Sequence, residues 1–245
     1  MARVVFGLQP AREAIRAHGA KSERLFVEHR GGPKIEALAR FAADQGVPVE
    51  TLSRAELDRR AAGVRHQGVL LLAPELRLVS LDALLDRKPS IVIALDGVMD
   101  PQNFGAVIRS AVALGADAVL WPEHSSAPLS PATFRASAGA IEHATLCRVR
   151  SLKDALVRLA DAGMSTVALD AQGEVTVGEI DLTGPVALVI GAEDKGIQRS
   201  VRRICAHVAR LPMTGAVASL NASVAGAVAL YEVIRQRGAA SSAAS

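Results

Sequence analysis

The sequence predicts an α/β protein: a parallel sheet flanked by helices forms the larger part, and a small α/β domain precedes it. From residue 91 onward, short strands rich in Val, Ile and Leu alternate with helical segments. This alternation is typical of a parallel sheet that is covered on both faces. Residues 1–73 carry a separate, shorter set of helical and strand patterns, about the size of a small independent domain.

The domain boundaries follow from composition. Residues 1–73 form the predicted N-terminal domain, and residues 74–90, with a proline near each end, form a predicted linker that contains one or two helical turns. Residues 91–238 form the second domain. Residues 239–245 are low in complexity, and we expect them to be a disordered tail.

Bulk composition excludes several classes of protein. Hydrophobic residues make up 50% and charged residues 22%, as in a soluble globular protein, while 3% aromatic residues disfavour a surface that stacks nucleic-acid bases. No apolar run reaches the roughly 18 residues needed to span a bilayer, and the N-terminus turns polar too soon for a signal peptide. We therefore expect a cytoplasmic protein with no membrane partner.

Cys147 and Cys205 are isolated and no histidine has metal-ligand spacing, so we predict reduced thiols and no metal.

Positive charge is concentrated in the first domain. Residues 1–73 contain 12 Lys and Arg against 8 Asp and Glu, whereas the rest of the chain contains 16 against 17. Such an excess attracts phosphate backbones, although an ordinary solvated surface is the alternative. Arg199, Arg202 and Arg203 form a possible second basic patch in the second domain.

Ligands of open parallel sheets bind beyond the carboxyl ends of the strands, so the loops after strands 91–98, 186–190 and 207–211 are the candidate sites. In the first loop we expect Asn103 to cap the helix that carries Arg109; capping alone is the alternative role for Asn103. Arg109 shares a helix face with the small residues Gly105 and Ala106. An arginine at such a position is suited to a phosphate or a carboxylate.

The second loop is bracketed by Gly191 and Gly196, as a phosphate loop would be. Ile197 and Gln198 follow, however, where a P-loop needs Lys and Ser or Thr, and no GxGxxG motif occurs in the chain. These absences disfavour an enzyme that acts on a small nucleotide. Glu193, close to a helix N-terminus, favours a cationic ligand, and interaction with the helix dipole is the alternative.

The third loop leads into a predicted helix at residues 220–237 that is rich in Ala and Gly. Ser219 and Asn221 at its entrance are candidates for a site, or for capping alone. A helix with so few bulky side chains permits close contact with another helix, so it is a candidate subunit interface. We expect a bulky charged residue at Ala225 or Ala229 to disrupt it.

Together, NFGAVIRSA, GAEDKG and LPMTGAVASLNASVA resemble, in order, the three motifs of the SpoU (TrmH-like) RNA 2′-O-ribose methyltransferases. FGLQPAREAI and HQGVLL resemble the substrate-binding domain of the subgroup that methylates a guanosine of 23S ribosomal RNA, a domain related to ribosomal protein L30e. Two departures occur: Ala222 stands where Val is commoner, and Asp194 and Lys195 form a variable stretch. Neither departure falls on a position that receives a role below.

The resemblance implies a deep trefoil knot in the second domain, an S-adenosyl-L-methionine cofactor, RNA as the substrate with ribosomal RNA favoured over tRNA, and a homodimer whose site draws on both subunits. Its catalytic positions match Asn103, Arg109, Glu193, Ser219 and Asn221. Its cofactor positions match Gly191, Leu211 and Leu220, and we add Met213 as a wall of the pocket.

Two aspects of the implied chemistry stay open at this point. The family mechanism makes the arginine a general base, but a guanidinium stays protonated in proteins, so we expect Arg109 to act as a phosphate clamp. A non-catalytic RNA-binding protein of the same fold is the alternative function. The simultaneous presence of all five catalytic residue types argues against that alternative.

Overall fold

The computed structural model describes residues 2–216 and 219–243, with side chains to residue 240. It divides into two compact units. The first unit holds the residues up to Arg77 together with Leu129–His143, and the second holds Leu78–Pro128 and the chain from Ala144 onward. The segment Leu129–His143, assigned from the sequence to the second domain, thus packs with the first unit.

The first unit is built on a four-stranded mixed sheet with the order β1-β4-β2-β3. Its strands are β1 (Ala2–Phe6), β2 (Arg24–Glu28), β3 (Val49–Leu52) and β4 (Val69–Pro74). Its first helices are α1 (Leu8–His18), α2 (Pro33–Asp44) and α3 (Arg54–Ala61). At the start of α3, Ser53 and Glu56 form a capping box, in which each side chain accepts a hydrogen bond from the other residue's backbone N–H.

The second unit is built on an eight-stranded sheet in which every strand pair is parallel, which confirms the predicted parallel sheet. The strand order is β10-β12-β9-β11-β6-β7-β8-β5. The strands are β5 (Leu78–Val79), β6 (Ile91–Asp96), β7 (Ala118–Pro122), β8 (Leu146–Val149), β9 (Ser165–Leu169), β10 (Val175–Thr176), β11 (Val186–Gly191) and β12 (His207–Arg210). The later helices of the chain are α4 (Leu81–Leu85), α5 (Pro101–Ala113), α6 (Pro131–Ala136), α7 (Leu152–Asp161), α8 (Arg199–Arg202) and α9 (Ala222–Ala243).

The segment that contains α6 is held in the first unit by a buried ion cluster. The Glu142 side chain is 1% exposed and pairs with the guanidinium of Arg3 and with Nε2 of His18, the latter at 3.0 Å. The Arg3 guanidinium also lies 5.0 Å from the ring centroid of Phe134. A carboxylate at this depth is costly unless it is paired. The cluster therefore explains why a segment distant in sequence belongs to this unit.

Two predictions about the linker and the tail differ from the structure. Residues 74–90 are not a plain connection, because β5 and α4 lie within them and belong to the second unit. Residues 239–243, expected to be disordered, continue α9, and residues 244–245 lie outside the described part of the chain. Within the described residues, no helix combines the length and the apolar character required to cross a membrane.

Candidate active site

The three candidate loops meet at one edge of the sheet. Strands β12, β9, β11 and β6 are neighbours and run parallel, so their carboxyl ends lie side by side; Asp96 at the end of β6 is in register with Gly191 at the end of β11. A cavity of about 570 Å³ opens at this edge. All four predicted cofactor positions line it, as do two predicted catalytic residues: Gly191, Leu211, Met213 and Leu220, with Glu193 and Ser219.

Asn221 joins residues of all three loops in one hydrogen-bond network. Its Nδ2 donates to Oδ1 of Asn103 at 2.9 Å and also to the carboxylate of Glu193. Its Oδ1 accepts from the backbone N–H of Ser223 at 2.9 Å and of Val224 at 3.3 Å, so the same amide caps α9. Capping and network formation were alternatives for Asn221 in the sequence analysis; the structure has both.

Asn103 does not cap α5, contrary to the sequence-based expectation. The cap is Asp100, whose carboxylate accepts from the backbone N–H of Gln102 and Asn103 at 3.2 and 3.1 Å, because Pro101 occupies the first helical position. Asn103 lies inside the first turn, 7% exposed. Its side chain is thereby free to accept the hydrogen bond from Asn221.

Gly191 is required by the close approach of two backbone segments. A Cβ built on Gly191 would overlap the backbone of Gly196 and Ile197. This crowding arises because Ala192 and Gly196 pair with each other, each N–H donating to the other's carbonyl, at 3.2 and 2.8 Å. The loop after β11 is therefore a tight turn, and its residues line the cavity.

The structure does not bring Arg109 into the network. Arg109 is exposed on α5, and its guanidinium forms no hydrogen bond or ion pair with any described residue. Glu193 accepts a hydrogen bond from Asn221 and, among the described residues, forms no hydrogen bond or ion pair with Arg109. Arg109 is thus available to a group from outside this chain.

The sequence analysis overlooked Asp96, which anchors the second loop. Asp96 is 1% exposed, and its two carboxylate oxygens accept from the backbone N–H and from Nε2 of Gln198 at 2.7 and 2.8 Å. Burial raises the pKa of Asp96 above its usual value, although the two hydrogen bonds from Gln198 oppose the shift. A charged residue that closes an otherwise apolar strand, IVIALD, was the feature that could have identified it.

The loop after β9 was also overlooked. Leu169, Asp170, Ala171 and Gln172 line the cavity, because β9 lies between β12 and β11 in the sheet. The chain order does not show this neighbourhood, since β9 is separated from both strands along the sequence. Strand order is a tertiary property, which explains the omission.

The two faces of α9 have different environments. Gly226, Ala229 and Leu230 are buried, and a Cβ on Gly226 would overlap the side chain of Ile190 in β11, so part of the small-residue content serves close packing within the chain. Ala229 is fully buried and Ala225 lines the cofactor cavity. Neither alanine is on the exposed face, so the substitutions expected to break an interface would damage the chain's own core or cavity.

The exposed face of α9 is apolar. Val224, Val228 and Tyr231 are 46%, 44% and 58% exposed, and they recur at the spacing of one helix face. Together with Ser110 of α5, these residues line a shallow groove of about 340 Å³. Arg109 directly precedes Ser110 on α5 and is itself exposed.

The cavity fits a cofactor such as S-adenosylmethionine on three counts. Its volume is in the range of small-molecule sites, which is about 300–1,000 Å³. Leu211, Met213 and Leu220 supply apolar walls, and the crowded turn at Gly191 forms another part of the lining. The carboxylate of Glu193 supplies a negative charge that suits a ligand carrying sulfonium and ammonium groups.

The two cysteines are not placed as nucleophiles. Cys147 is buried, and burial raises the pKa of both thiols, Cys147 and Cys205, to about 11. Neither cysteine forms a disulfide. In the part of the chain that the structure describes, no group of three or more His, Cys, Asp or Glu side chains is arranged to hold a metal.

Comparisons with known proteins give two family matches that together span most of the chain. The SpoU rRNA methylase family matches residues 90–231, and the family of RNA 2′-O ribose methyltransferase substrate-binding domains matches residues 4–79.

Individual relatives agree with these matches. The chain is 41% identical over 242 residues to an uncharacterized tRNA/rRNA methyltransferase of Mycolicibacterium vanbaalenii, covering 96% of this chain and 76% of that protein. It is 38% identical over 241 residues to the 23S rRNA (guanosine-2′-O-)-methyltransferase RlmB of Pseudomonas syringae pv. tomato, covering 96% of each. Among solved structures, the SpoU methyltransferase AviRb of Streptomyces viridochromogenes, in complex with AdoMet, superposes with a TM-score of 0.79 at 27% identity. The match covers 97% of this chain and 91% of AviRb.

Proposed function

Because the chain belongs to the SpoU RNA methyltransferase family, we propose that it methylates the ribose 2′-hydroxyl of a guanosine in 23S ribosomal RNA. It is an S-adenosylmethionine-dependent RNA methyltransferase. The choice of substrate is supported by 38% identity to RlmB along almost the full length of both chains. Methylation of tRNA is the second candidate, and the M. vanbaalenii relative carries both substrates in its name.

The single observation that carries the assignment of the site is the Asn221 network at the mouth of the cavity. Gly191, Leu211, Met213 and Leu220 would hold S-adenosylmethionine, which would supply the methyl group and leave as S-adenosylhomocysteine, while the ribose 2′-hydroxyl would lose its proton to water. Asn103, Asn221 and Glu193 are held by one another, and Ser219 lies beside them on the cavity wall. A preorganised polar set of this kind orients a ribose for in-line attack by its 2′-oxygen.

Arg109 is the proposed RNA phosphate clamp. Its guanidinium has no partner among the described residues, which fits a side chain whose ligand is the substrate. A guanidinium does not accept the hydroxyl proton, because it stays protonated in proteins. It binds a phosphate through two parallel N–H donors and stabilises the negative charge that develops on the ribose oxygen.

The proposed quaternary state is a homodimer in which α9 of one copy packs against α9 of the other. Val224, Val228 and Tyr231 form an apolar strip on α9 that the described chain leaves uncovered. Ser110, the residue after Arg109, lines the same groove, so a dimer through this strip would bring the second copy close to the α5 helix that carries the proposed clamp. Tyr231→Glu should yield a monomer in light scattering, whereas Val157→Glu, an exposed apolar position on α7, should leave the dimer intact. An active wild-type monomer at micromolar concentration would contradict the dimer.

The finer features of fold and location are part of the same proposal. We infer that the segments around the cavity form the trefoil knot of the family and that the first unit is an L30e-like RNA-binding domain, as the substrate-binding family match supports. The location follows from the substrate, since ribosomal RNA of bacteria is made and modified in the cytoplasm.

The direct test is methyl transfer from tritiated S-adenosylmethionine to unmodified transcripts of 23S rRNA and of tRNA. With the wild-type chain, we expect label in the 23S transcript alone. Both Arg109→Ala and Arg109→Lys should lose it, since a lysine ammonium does not reproduce the parallel N–H donors of the planar guanidinium. Cofactor affinity should be unchanged in both variants. Label in tRNA alone would assign the second candidate, and no label in either RNA would reject the proposed function.

A further inference from the structure

A second cavity of about 550 Å³ lies in the second unit beside the cofactor cavity. It is formed by α8, the turn that follows it, and the starts of β10 and β12. Arg199, Arg202, Arg203 and His207 supply its basic side chains, and Glu174 is the acidic residue in its lining. None of the residues that line it is Phe, Tyr or Trp.

Most of the positive charge in this cavity is not neutralised by the protein. Arg202 Nε lies 3.7 Å from the carboxylate of Asp170. Arg199 and Arg203 are exposed, and their side chains form no ion pair or hydrogen bond with any described residue. Two unpaired guanidinium groups therefore face a concave surface that contains one exposed carboxylate, that of Glu174.

The position of the cavity identifies its ligand. Arg199 and Arg202 also line the cofactor cavity, so the two cavities share a wall, whereas Arg203 and His207 line the basic cavity alone. Because the two cavities share a wall, an RNA whose ribose is methylated at the cofactor cavity brings its phosphates close to the basic cavity. An acidic protein partner has no such reason to occupy this place.

We propose that Arg199, Arg203 and His207 bind a backbone phosphate of the RNA substrate, next to the nucleotide being methylated. The inference rests on the proposed function. Guanidinium groups match phosphate oxygens through paired N–H donors, and such contacts position an RNA without reading its bases. The basic cavity thus supplies substrate affinity from the catalytic unit, in addition to the basic excess of the first unit.

The test is RNA binding by the full chain, measured on an unmodified 23S rRNA transcript across a salt series, with Arg203→Ala, Arg203→Glu and Arg203→Lys. Arg203 is chosen because it lines the basic cavity and not the cofactor cavity. The matched control is Arg87→Ala, an exposed arginine of the second unit between α4 and β6 that lines neither cavity. Loss of one phosphate contact should weaken RNA binding by roughly fivefold to tenfold and reduce the salt slope by about 0.7–0.9.

The expected result has three parts. Arg203→Ala lowers RNA affinity and flattens the slope, Arg203→Glu does so more strongly, and Arg203→Lys restores most of the slope because it restores the charge. Affinity for S-adenosylmethionine stays at the wild-type value in all three variants.

Two results would overturn the inference. RNA affinity and slope equal to those of Arg87→Ala would mean that the arginines are ordinary solvated surface. Weaker cofactor binding with unchanged RNA binding would mean that they support the cofactor cavity. Both outcomes are distinct from failure of the proposed function, in which the wild-type chain transfers no methyl group to RNA.

Discussion

The substitution Asn221→Asp separates the two roles of the Asn221 amide, which caps α9 and donates hydrogen bonds to Asn103 and Glu193. The carboxylate keeps the acceptor that caps α9 through Ser223 and Val224, and a negative charge is favourable at a helix N-terminus. The variant loses the Nδ2 donor, so the oxygen in its place faces Oδ1 of Asn103 and the carboxylate of Glu193. The cap should therefore survive while the network breaks.

The magnitude follows from the bonds that are lost. A hydrogen bond to a charged group contributes about 1.5–3 kcal/mol, equivalent to roughly 10- to 150-fold in rate if it is needed to orient the substrate. Since Glu193 and Asn221 are exposed, we expect the lower half of this range for the bond between them. Loss of the neutral hydrogen bond to the buried Asn103 adds to this cost.

The assay is single-turnover methyl transfer together with thermal unfolding. Asn221→Asp should lose activity by at least tenfold with a melting temperature close to that of the wild type. Asn221→Ala should lose both activity and stability, because the cap is also gone. Ser223→Ala is the control, since it removes a hydroxyl that donates to Asn221 Oδ1 and leaves the network intact. Full activity of Asn221→Asp would refute the role of the network.

Three further substitutions test the supports of the site. Gly191→Ala should abolish binding of S-adenosylmethionine in calorimetry, because its Cβ overlaps the backbone of the facing turn; normal affinity would show that the turn is not rigid. Asp96→Asn should weaken cofactor binding, since an amide offers one acceptor to the two donors of Gln198. The pKa of Asp96 is raised in the folded state, so the folded wild type takes up a proton at a higher pH than the unfolded chain does. The free energy of unfolding of the wild type, relative to that of Asp96→Asn, should therefore increase as the pH falls from the raised pKa toward the ordinary value. Denaturant titrations at several pH values should show this trend, and a difference that does not change with pH would contradict it. Glu142→Gln breaks a buried ion pair at a cost of about 3 kcal/mol, so hydrogen exchange should lose protection in Leu129–His143 and keep it in β11; unchanged protection would mean that other contacts hold the segment.

The parallel sheet was predictable because its strands are apolar on both faces. IVIALD and VALVIG are completely buried, as β6 and β11, and such runs leave little ambiguity. The gathering of the three loops was also predictable, because all three follow parallel strands and therefore lie at the same edge. The starts of α5 and α9 differ from the predicted ones because of their capping residues: Asp100 caps α5 ahead of Pro101, and Asn221 caps α9.

What the sequence did not predict depends on contacts between distant residues. The pairing of Glu142 with Arg3 spans 139 positions, and neither residue belongs to a motif. The orientation of α9 similarly depends on which of its faces packs against Ile190. Because α9 is rich in Ala and Gly, its hydrophobic pattern does not predict which face that is. Asp96 was overlooked because its partner, Gln198, lies 102 positions away.

The most direct test of the proposed function is mass spectrometric mapping of ribose methylation in cells that lack this chain. We predict the loss of one 2′-O-methylguanosine from 23S rRNA, with tRNA unchanged. The wild-type chain should restore it, and the Arg109→Ala variant should not. Loss of a 2′-O-methyl group from tRNA, with 23S rRNA fully modified, would contradict the account.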